Sequence, residues 1–188
     1  MRIALGVSGG IAAYKACEIV RRLTDSGASV QVLMTRNAER FITPLTLQAL
    51  SGSRVATDAW ELASDETIKH IDMARDLDAF VVAPATANIL AKFAGGVADE
   101  LLSTFYLAVT APVLVAPAMN TRMWLHPATQ EAIRSLRSRG VAVVGPESGW
   151  LAERETGVGR LASPEAIVAE VLRAARRGRS LEGKKIVV

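Results

Sequence analysis

The 188-residue chain has one cysteine, Cys17, and two histidines, His70 and His126. A single thiol excludes a disulfide framework, and no charged, apolar, small-residue leader opens the sequence, so a cytoplasmic protein is expected. Two histidines and one cysteine without close ligand spacing give no zinc pattern, and no metal site is expected. The longest apolar stretch, Tyr106 to Met119, is broken by Thr110, Pro112 and Pro117 and falls short of the roughly 20 residues that span a bilayer. Neither Gly-x-Gly-x-x-Gly nor a Walker Lys-Ser/Thr pair occurs, which disfavours NAD and ATP sites.

Charge of one sign is also lacking. The formal net charge is +3, but six bases and one acid fall between Arg173 and Val188. The preceding 172 residues therefore carry 22 − 6 = 16 bases against 19 − 1 = 18 acids, a net −2. A nucleic-acid face needs clustered charge on the folded body, so no nucleic-acid partner is expected, and no membrane partner either.

Half the residues are hydrophobic, enough for one compact domain burying roughly 70% of its unfolded surface. Nearly continuous apolar runs at Arg2–Val7, Val30–Met34, Ala79–Ala83, Val113–Ala116 and Val141–Val144 suit strands of a parallel sheet buried on both faces. Helical patterns lie between them: Ala12 to Leu23, closed by Ser26-Gly27, then Leu45–Leu50, Thr86–Ala94, Asp99–Val109 and Ala128–Arg137, with Pro164–Arg176 last. Such alternation predicts a doubly wound α/β domain. Ligands of such sheets bind beyond the carboxyl ends of the strands. The loops to search are therefore Ser8-Gly9-Gly10, Thr35-Arg36-Asn37, Pro84 to Asn88 and Pro117 to Asn120. The segment Pro146 to Gly159 is long and Gly-rich enough to be a flap over them.

Ser8-Gly9-Gly10 would present backbone N–H groups to a phosphate, or would simply make a tight turn with close helix packing. Thr86 and Asn88 could meet a phosphate or a ring edge, or could cap a helix. His70 has the near-neutral imidazole suited to proton transfer, although a surface or capping role fits its position better. His126, followed by Pro127, reads as structural. Met123 and Trp124 could pack against a ring or fill core, and Cys17 reads as a small core residue.

Taken in order, Gly6-Val7-Ser8-Gly9-Gly10-Ile11-Ala12-Ala13-Tyr14-Lys15, His70-Ile71, Pro84-Ala85-Thr86-Ala87-Asn88 and Pro117-Ala118-Met119-Asn120-Thr121-Arg122-Met123-Trp124 resemble the homo-oligomeric flavin-containing cysteine decarboxylase family. The resemblance runs from about Ile3 to Ala174, and Pro-x-Met-Asn-x-x-Met-Trp is its most specific mark. It implies a Rossmann-like, flavodoxin-like three-layer α/β/α fold. It also implies FMN held by Ser8, Gly9, Gly10, Ile11, Ala12, Thr35, Thr86, Ala87, Asn88 and Ile89. His70 would be the catalytic base, Asn120 would grip the substrate carboxylate, and Met123 and Ala152 would touch the substrate.

Within the family the residues match best the phosphopantothenoylcysteine decarboxylase branch, which in bacteria precedes a phosphopantothenate–cysteine ligase domain. The implied reaction takes 4'-phosphopantothenoylcysteine to 4'-phosphopantetheine. The flavin oxidises the cysteinyl thiol, CO2 leaves, and the ene-thiol is protonated and reduced again. The domain is expected over residues 1–176. Residues 177–188 are expected to be a linker and the ligase's first strand, ending Lys184-Lys185-Ile186-Val187-Val188.

Members that finish this sequence usually carry Leu-Ala-Cys-Gly in the flap, the cysteine being the proton donor. Here the run is Leu151-Ala152-Glu153-Arg154, so Glu153 or a held water is the expected donor. A trimer, grouped into dodecamers, is implied by the same resemblance. Peptidyl-cysteine decarboxylase is compatible with the lost cysteine but not with the ligase-like tail. The intact Pro117 to Trp124 motif disfavours a flavin prenyltransferase, and the lack of an acidic tail disfavours a phosphatase-regulating relative.

Overall fold

The first strand, β1 (Arg2–Val7), sends Ile3, Leu5 and Val7 to one face and Ala4 to the other, and every residue after Arg2 is buried. A strand can be apolar on both sides only where layers cover both faces of its sheet. The computed structural model describes residues 1–58, 74–152 and 154–179 and shows this arrangement. Five parallel strands lie in the order β2 (Ser29–Met34), β1, β3 (Ala79–Ala85), β4 (Val113–Pro117), β5 (Ala142–Val143). Ile3 is opposite Val30 on one side and Ala79 on the other.

Parallel neighbours need crossovers, and helices supply those described. On one face α1 (Ala16–Asp25), α2 (Pro44–Ser51) and the last helix α7 (Pro164–Arg179) bury Ile19, Leu23, Leu47, Ile167 and Val171 against Leu5, Val32 and Val81. On the other face α3 (Ala87–Gly95), α4 (Leu101–Ala108) and α6 (Pro127–Ser138) bury Ile89, Phe93, Phe105, Ile133 and Leu136 against Phe80, Val82 and Val115. Phe105 meets Phe80 edge-on with centroids 5.2 Å apart. Each such fully buried Leu, Ile or Phe contributes roughly 1.5–3 kcal/mol. Gly6 makes room for this layer, because a Cβ there would lie 2.6 Å from Cδ1 of Leu102.

From β1 the chain crosses to β2 on one side of the sheet, and β3 lies on the other side of β1. The strand order reverses there, so the loops leaving β1 and β3 part and open a crevice, the usual ligand position in such sheets. Beyond β5 the chain forms an antiparallel hairpin, β6 (Glu147–Trp150) and β7 (Thr156–Arg160), over the span expected to be a flap.

The structure departs from the sequence reading in four places. The segment after Gly10 begins as a 310 turn over Ile11–Lys15, tightened by the Ala13 N–H donating to the Gly10 carbonyl at 2.9 Å, and becomes α-helical only at Ala16. The strand expected over Val141–Val144 is reduced to Ala142–Val143. A short helix, α5 (Thr121–Leu125), follows the Pro117–Asn120 loop in a stretch for which no element was expected. The last helix runs to Arg179, so Arg177 to Arg179, expected to be linker, continue it. His70, Glu153 and the expected strand at Lys184–Val188 lie outside the described residues. Among the described residues no helix is long and apolar enough to cross a membrane.

Candidate active site

Ser8, at the carboxyl end of β1, is only 2% exposed and ties the two halves of the crevice together. Its hydroxyl donates to the Pro84 carbonyl at 2.7 Å and accepts the Thr86 N–H at 3.0 Å, and its own N–H reaches the same carbonyl at 3.3 Å. Ser8 thus fixes the distance between the β1 and β3 loops. Gly9 is equally constrained, because a Cβ there would fall 2.5 Å from Cβ of Asn37.

Thr86 is the N-cap of α3, but its side chain makes no capping bond. Its hydroxyl oxygen lies 3.2 Å from that of Ser8. The first N–H groups of α3 therefore have no partner within the helix and none from its cap side chain. The same is true of the N–H groups that open the 310 turn after Gly10, where no side chain caps.

A third loop closes on these two. Asn120 caps α5, its Oδ1 accepting the Arg122 N–H at 2.7 Å. With Oδ1 anchored in this way, the amide N–H2 group of Asn120 is left without a partner among the described residues and can donate to a ligand. The hairpin packs directly on this loop: the Met119 N–H donates to the Gly159 carbonyl at 2.9 Å. Cβ atoms at Gly157 and Gly159 would lie 2.2 Å from Thr121 Oγ1 and 2.1 Å from the Met119 carbonyl oxygen.

Together these loops enclose a cavity of about 780 Å³, within the range of small-molecule sites. Among the residues expected at the cofactor, Gly9, Gly10, Ile11, Ala12, Thr86 and Ala87 line it. Asn120, Met123 and Ala152, expected at the substrate, line it too. Ser8 is buried beneath the loop. Thr35, 6% exposed, caps a local turn by accepting the Ala38 N–H at 3.2 Å. Asn88 is exposed and is not among the residues that line the cavity, and the Ile89 side chain is turned into the core.

The sequence reading missed the cavity's charge. Lys15, Arg154 and Arg160 line it, no carboxylate lies among its described lining residues, and none of the three has an ion-pair partner among the described residues. Lys15 stands in a motif already quoted and could have been found there. Arg154 and Arg160 needed the hairpin to show which side they face. Tyr14 and Trp150 line the cavity as well, both well exposed at 59% and 66%. Trp124 instead packs partly buried against the core. His126 is structural, its Nδ1 accepting the Ala128 N–H at 3.2 Å at the start of α6. Cys17 stands in the first turn of α1, partly buried against the core, and that burial pushes its thiol up from its ordinary value.

A parallel doubly wound sheet of order 2-1-3-4-5, with uncapped helix-opening N–H groups at its switch point and a cavity there lined by three cations, defines an α/β protein of the nucleotide- and flavin-binding class. The particular family follows from comparison with known proteins: a family model described as Flavoprotein matches residues 1–176, and the chain belongs to that family.

Among curated proteins it is 47% identical over 188 residues to the coenzyme A biosynthesis bifunctional protein CoaBC of Bacillus subtilis, covering 99% of this chain and 46% of that protein. It is 48% identical over 167 residues to CoaBC of Escherichia coli K12, covering 89% and 41%. The chain thus spans less than half the length of these relatives. Among solved structures, a PPC decarboxylase variant complexed with pantothenoylaminoethenethiol superposes with a TM-score of 0.81 at 34% identity, covering 92% of this chain and 96% of that one. The FMN-dependent cysteine decarboxylase SpaF gives 0.78 at 29%, covering 93% and 97%.

Proposed function

We propose that the chain is an FMN-dependent decarboxylase converting 4'-phosphopantothenoylcysteine to 4'-phosphopantetheine in coenzyme A biosynthesis. The observation that carries this reading is Asn120. Its Oδ1 is anchored by the Arg122 N–H, while its amide N–H2 group has no partner among the described residues beside a cavity built at the switch point. That is the chemistry needed to hold a carboxylate about to leave. The likenesses to CoaBC and to PPC decarboxylase support the same substrate.

The residues present fit FMN. The N–H groups opening the Ile11–Lys15 turn and α3, with the Thr86 hydroxyl, suit a phosphate, and Ile11 and Met123 supply apolar surface for a ring. Bound there, FMN supplies a reversible two-electron acceptor for the cysteinyl thiol, without which the carbon losing CO2 has no electron sink.

This chain's own groups do the rest. His70 takes the thiol proton, Asn120 holds the carboxylate, and the hairpin keeps water from the reacting carbon. Glu153 returns a proton where related members use cysteine. The decarboxylase unit is residues 1–176, followed in the full protein by a ligase domain whose first strand is residues 184–188. The active assembly is a homo-trimer or a dodecamer grouped from such trimers.

The test is to load the purified chain with FMN, add 4'-phosphopantothenoylcysteine and read the product mass. Loss of CO2 alone is expected. Loss of CO2 and two further hydrogens would mean the reaction stops at the oxidised ene-thiol, as in a peptidyl-cysteine decarboxylase. Unchanged substrate would refute the reading and favour a prenyltransferase or regulatory protein.

A further inference from the structure

Arg154 has φ = +63°, in the left-handed region that residues other than Gly, Asn and Asp seldom enter. The tip of the hairpin imposes it: the Leu151 N–H donates to the Glu155 carbonyl at 2.9 Å, and the Arg154 N–H to the Leu151 carbonyl at 3.1 Å. Glycine would occupy this position without strain, so an arginine here asks for a reason in its side chain.

Arg154 lines the cavity, and so does Arg160 on β7, in the same hairpin. Room for Arg160 is made by Gly149 on β6, where a Cβ would come within 3.0 Å of its Nη1. No carboxylate among the described residues pairs with either guanidinium. Two arginines of one hairpin that line the same cavity, neither ion-paired among the described residues, can together serve a phosphate or carboxylate.

The substrate carries two anions. Asn120 accounts for the carboxylate, and the turn after Gly10 with the start of α3 accounts for the cofactor's phosphate. The substrate's phosphate monoester remains for the lining cations, of which Lys15 belongs to the turn after Gly10 and Arg154 and Arg160 to the hairpin.

We propose that Arg154 and Arg160 form the subsite for that phosphate monoester, so that the hairpin reads whether the substrate is phosphorylated. The inference rests on the decarboxylase reading. A substrate without the phosphate leaves both guanidiniums unpaired and forfeits two charge-assisted contacts.

The experiment compares the FMN-loaded parent with Arg154→Gly, Arg154→Lys and Arg160→Gln. It measures kcat/KM for 4'-phosphopantothenoylcysteine and for pantothenoylcysteine. Independently of turnover, it measures calorimetric affinity for 4'-phosphopantetheine and pantetheine, and FMN affinity from quenching of flavin fluorescence. Arg154→Gly suits the backbone it replaces, so misfolding does not blur the result.

The preference for phosphorylated over unphosphorylated ligand is expected to shrink at least about tenfold in Arg154→Gly and Arg160→Gln, with Arg154→Lys between them and the parent and FMN affinity held. An undiminished preference in both variants overturns the proposal. So does a loss confined to FMN affinity, which would give these arginines to the cofactor. If the parent decarboxylates neither substrate, the functional reading fails, and the two pantetheine affinities still decide the subsite.

Discussion

The backbone N–H of Met119 donates to the carbonyl of Gly159, joining the loop that carries Asn120 to the hairpin over the cavity. Gly159 has φ = +150°, and a Cβ there would lie 2.1 Å from the Met119 carbonyl oxygen. Because the clash is with backbone, no rotamer relieves it. Gly159→Ala is expected to cost about 2–4 kcal/mol and several degrees of Tm. KM for the substrate should rise with it, since Asn120 moves with Met119. Thermal unfolding and steady-state kinetics check both, and an unchanged Tm would show that the hairpin is not seated as described.

Thr121 lies on the other side of Asn120, and its buried Oγ1 has no hydrogen-bond partner among the described residues. A buried hydroxyl left unsatisfied costs about 1–3 kcal/mol. Thr121→Val keeps the shape against Gly157 and removes the polar atom. Urea unfolding should show equal stability or a gain of up to about 1 kcal/mol. A clear loss would reveal a partner for the hydroxyl.

The sheet was legible because strands buried on both faces leave unbroken runs such as Ala79 to Ala83, and the α/β alternation makes them parallel; their order came only with the structure. The hairpin was not legible as strands. Glu147–Trp150 reads Glu-Ser-Gly-Trp and alternates between exposed and half-buried, so no apolar run marks it. Helix α5 is only five residues long, and its cap, Asn120, looks like any loop asparagine until Arg122 is seen donating to it. At the site, the glycines and small residues after β1 and β3 were found because the fold class says where to look. The left-handed turn at Arg154 was not, since sequence carries no φ. The role of Ser8 was also hidden, because its partners, Pro84 and Thr86, are distant in the chain.

A pH signature is expected from Lys92 on α3, which lies 2.8 Å from Asp99 and 2.7 Å from Glu100 at the start of α4. Burial pulls the ammonium down, but hydrogen bonds to both carboxylates and their charges more than reverse this and hold it above its ordinary value. The hydrogen bond from Lys92 holds the Asp99 carboxyl below its own ordinary value. The Asp99 contribution is therefore present above its unfolded pKa of about 3.9 and lost as pH falls through the folded value. The Lys92 contribution is full below about 10.4 and lost as pH rises through its raised value. Stability of the parent minus that of Lys92→Met should be flat across neutral pH and shrink at both extremes. A difference independent of pH would mean the aliphatic stem, not the charge, does the stabilising.

The sharpest test of the site is Asn120→Asp. Aspartate caps a helix about as well as asparagine, so the contact with the Arg122 N–H survives and α5 should hold, leaving Tm within about 2 °C of the parent. What changes is the other half of the side chain. An amide able to donate to the cavity becomes a carboxylate that can only accept, set against a substrate carboxylate. A charge-assisted hydrogen bond is lost and a like-charge repulsion replaces it, so kcat/KM should fall by about 100-fold or more. FMN affinity should be unaffected, because Asn120 lies on a different loop from the Gly9–Ala12 and Thr86–Ala87 wall. A variant that keeps its kcat/KM would remove Asn120 from the reaction, and with it the observation on which the decarboxylase assignment stands.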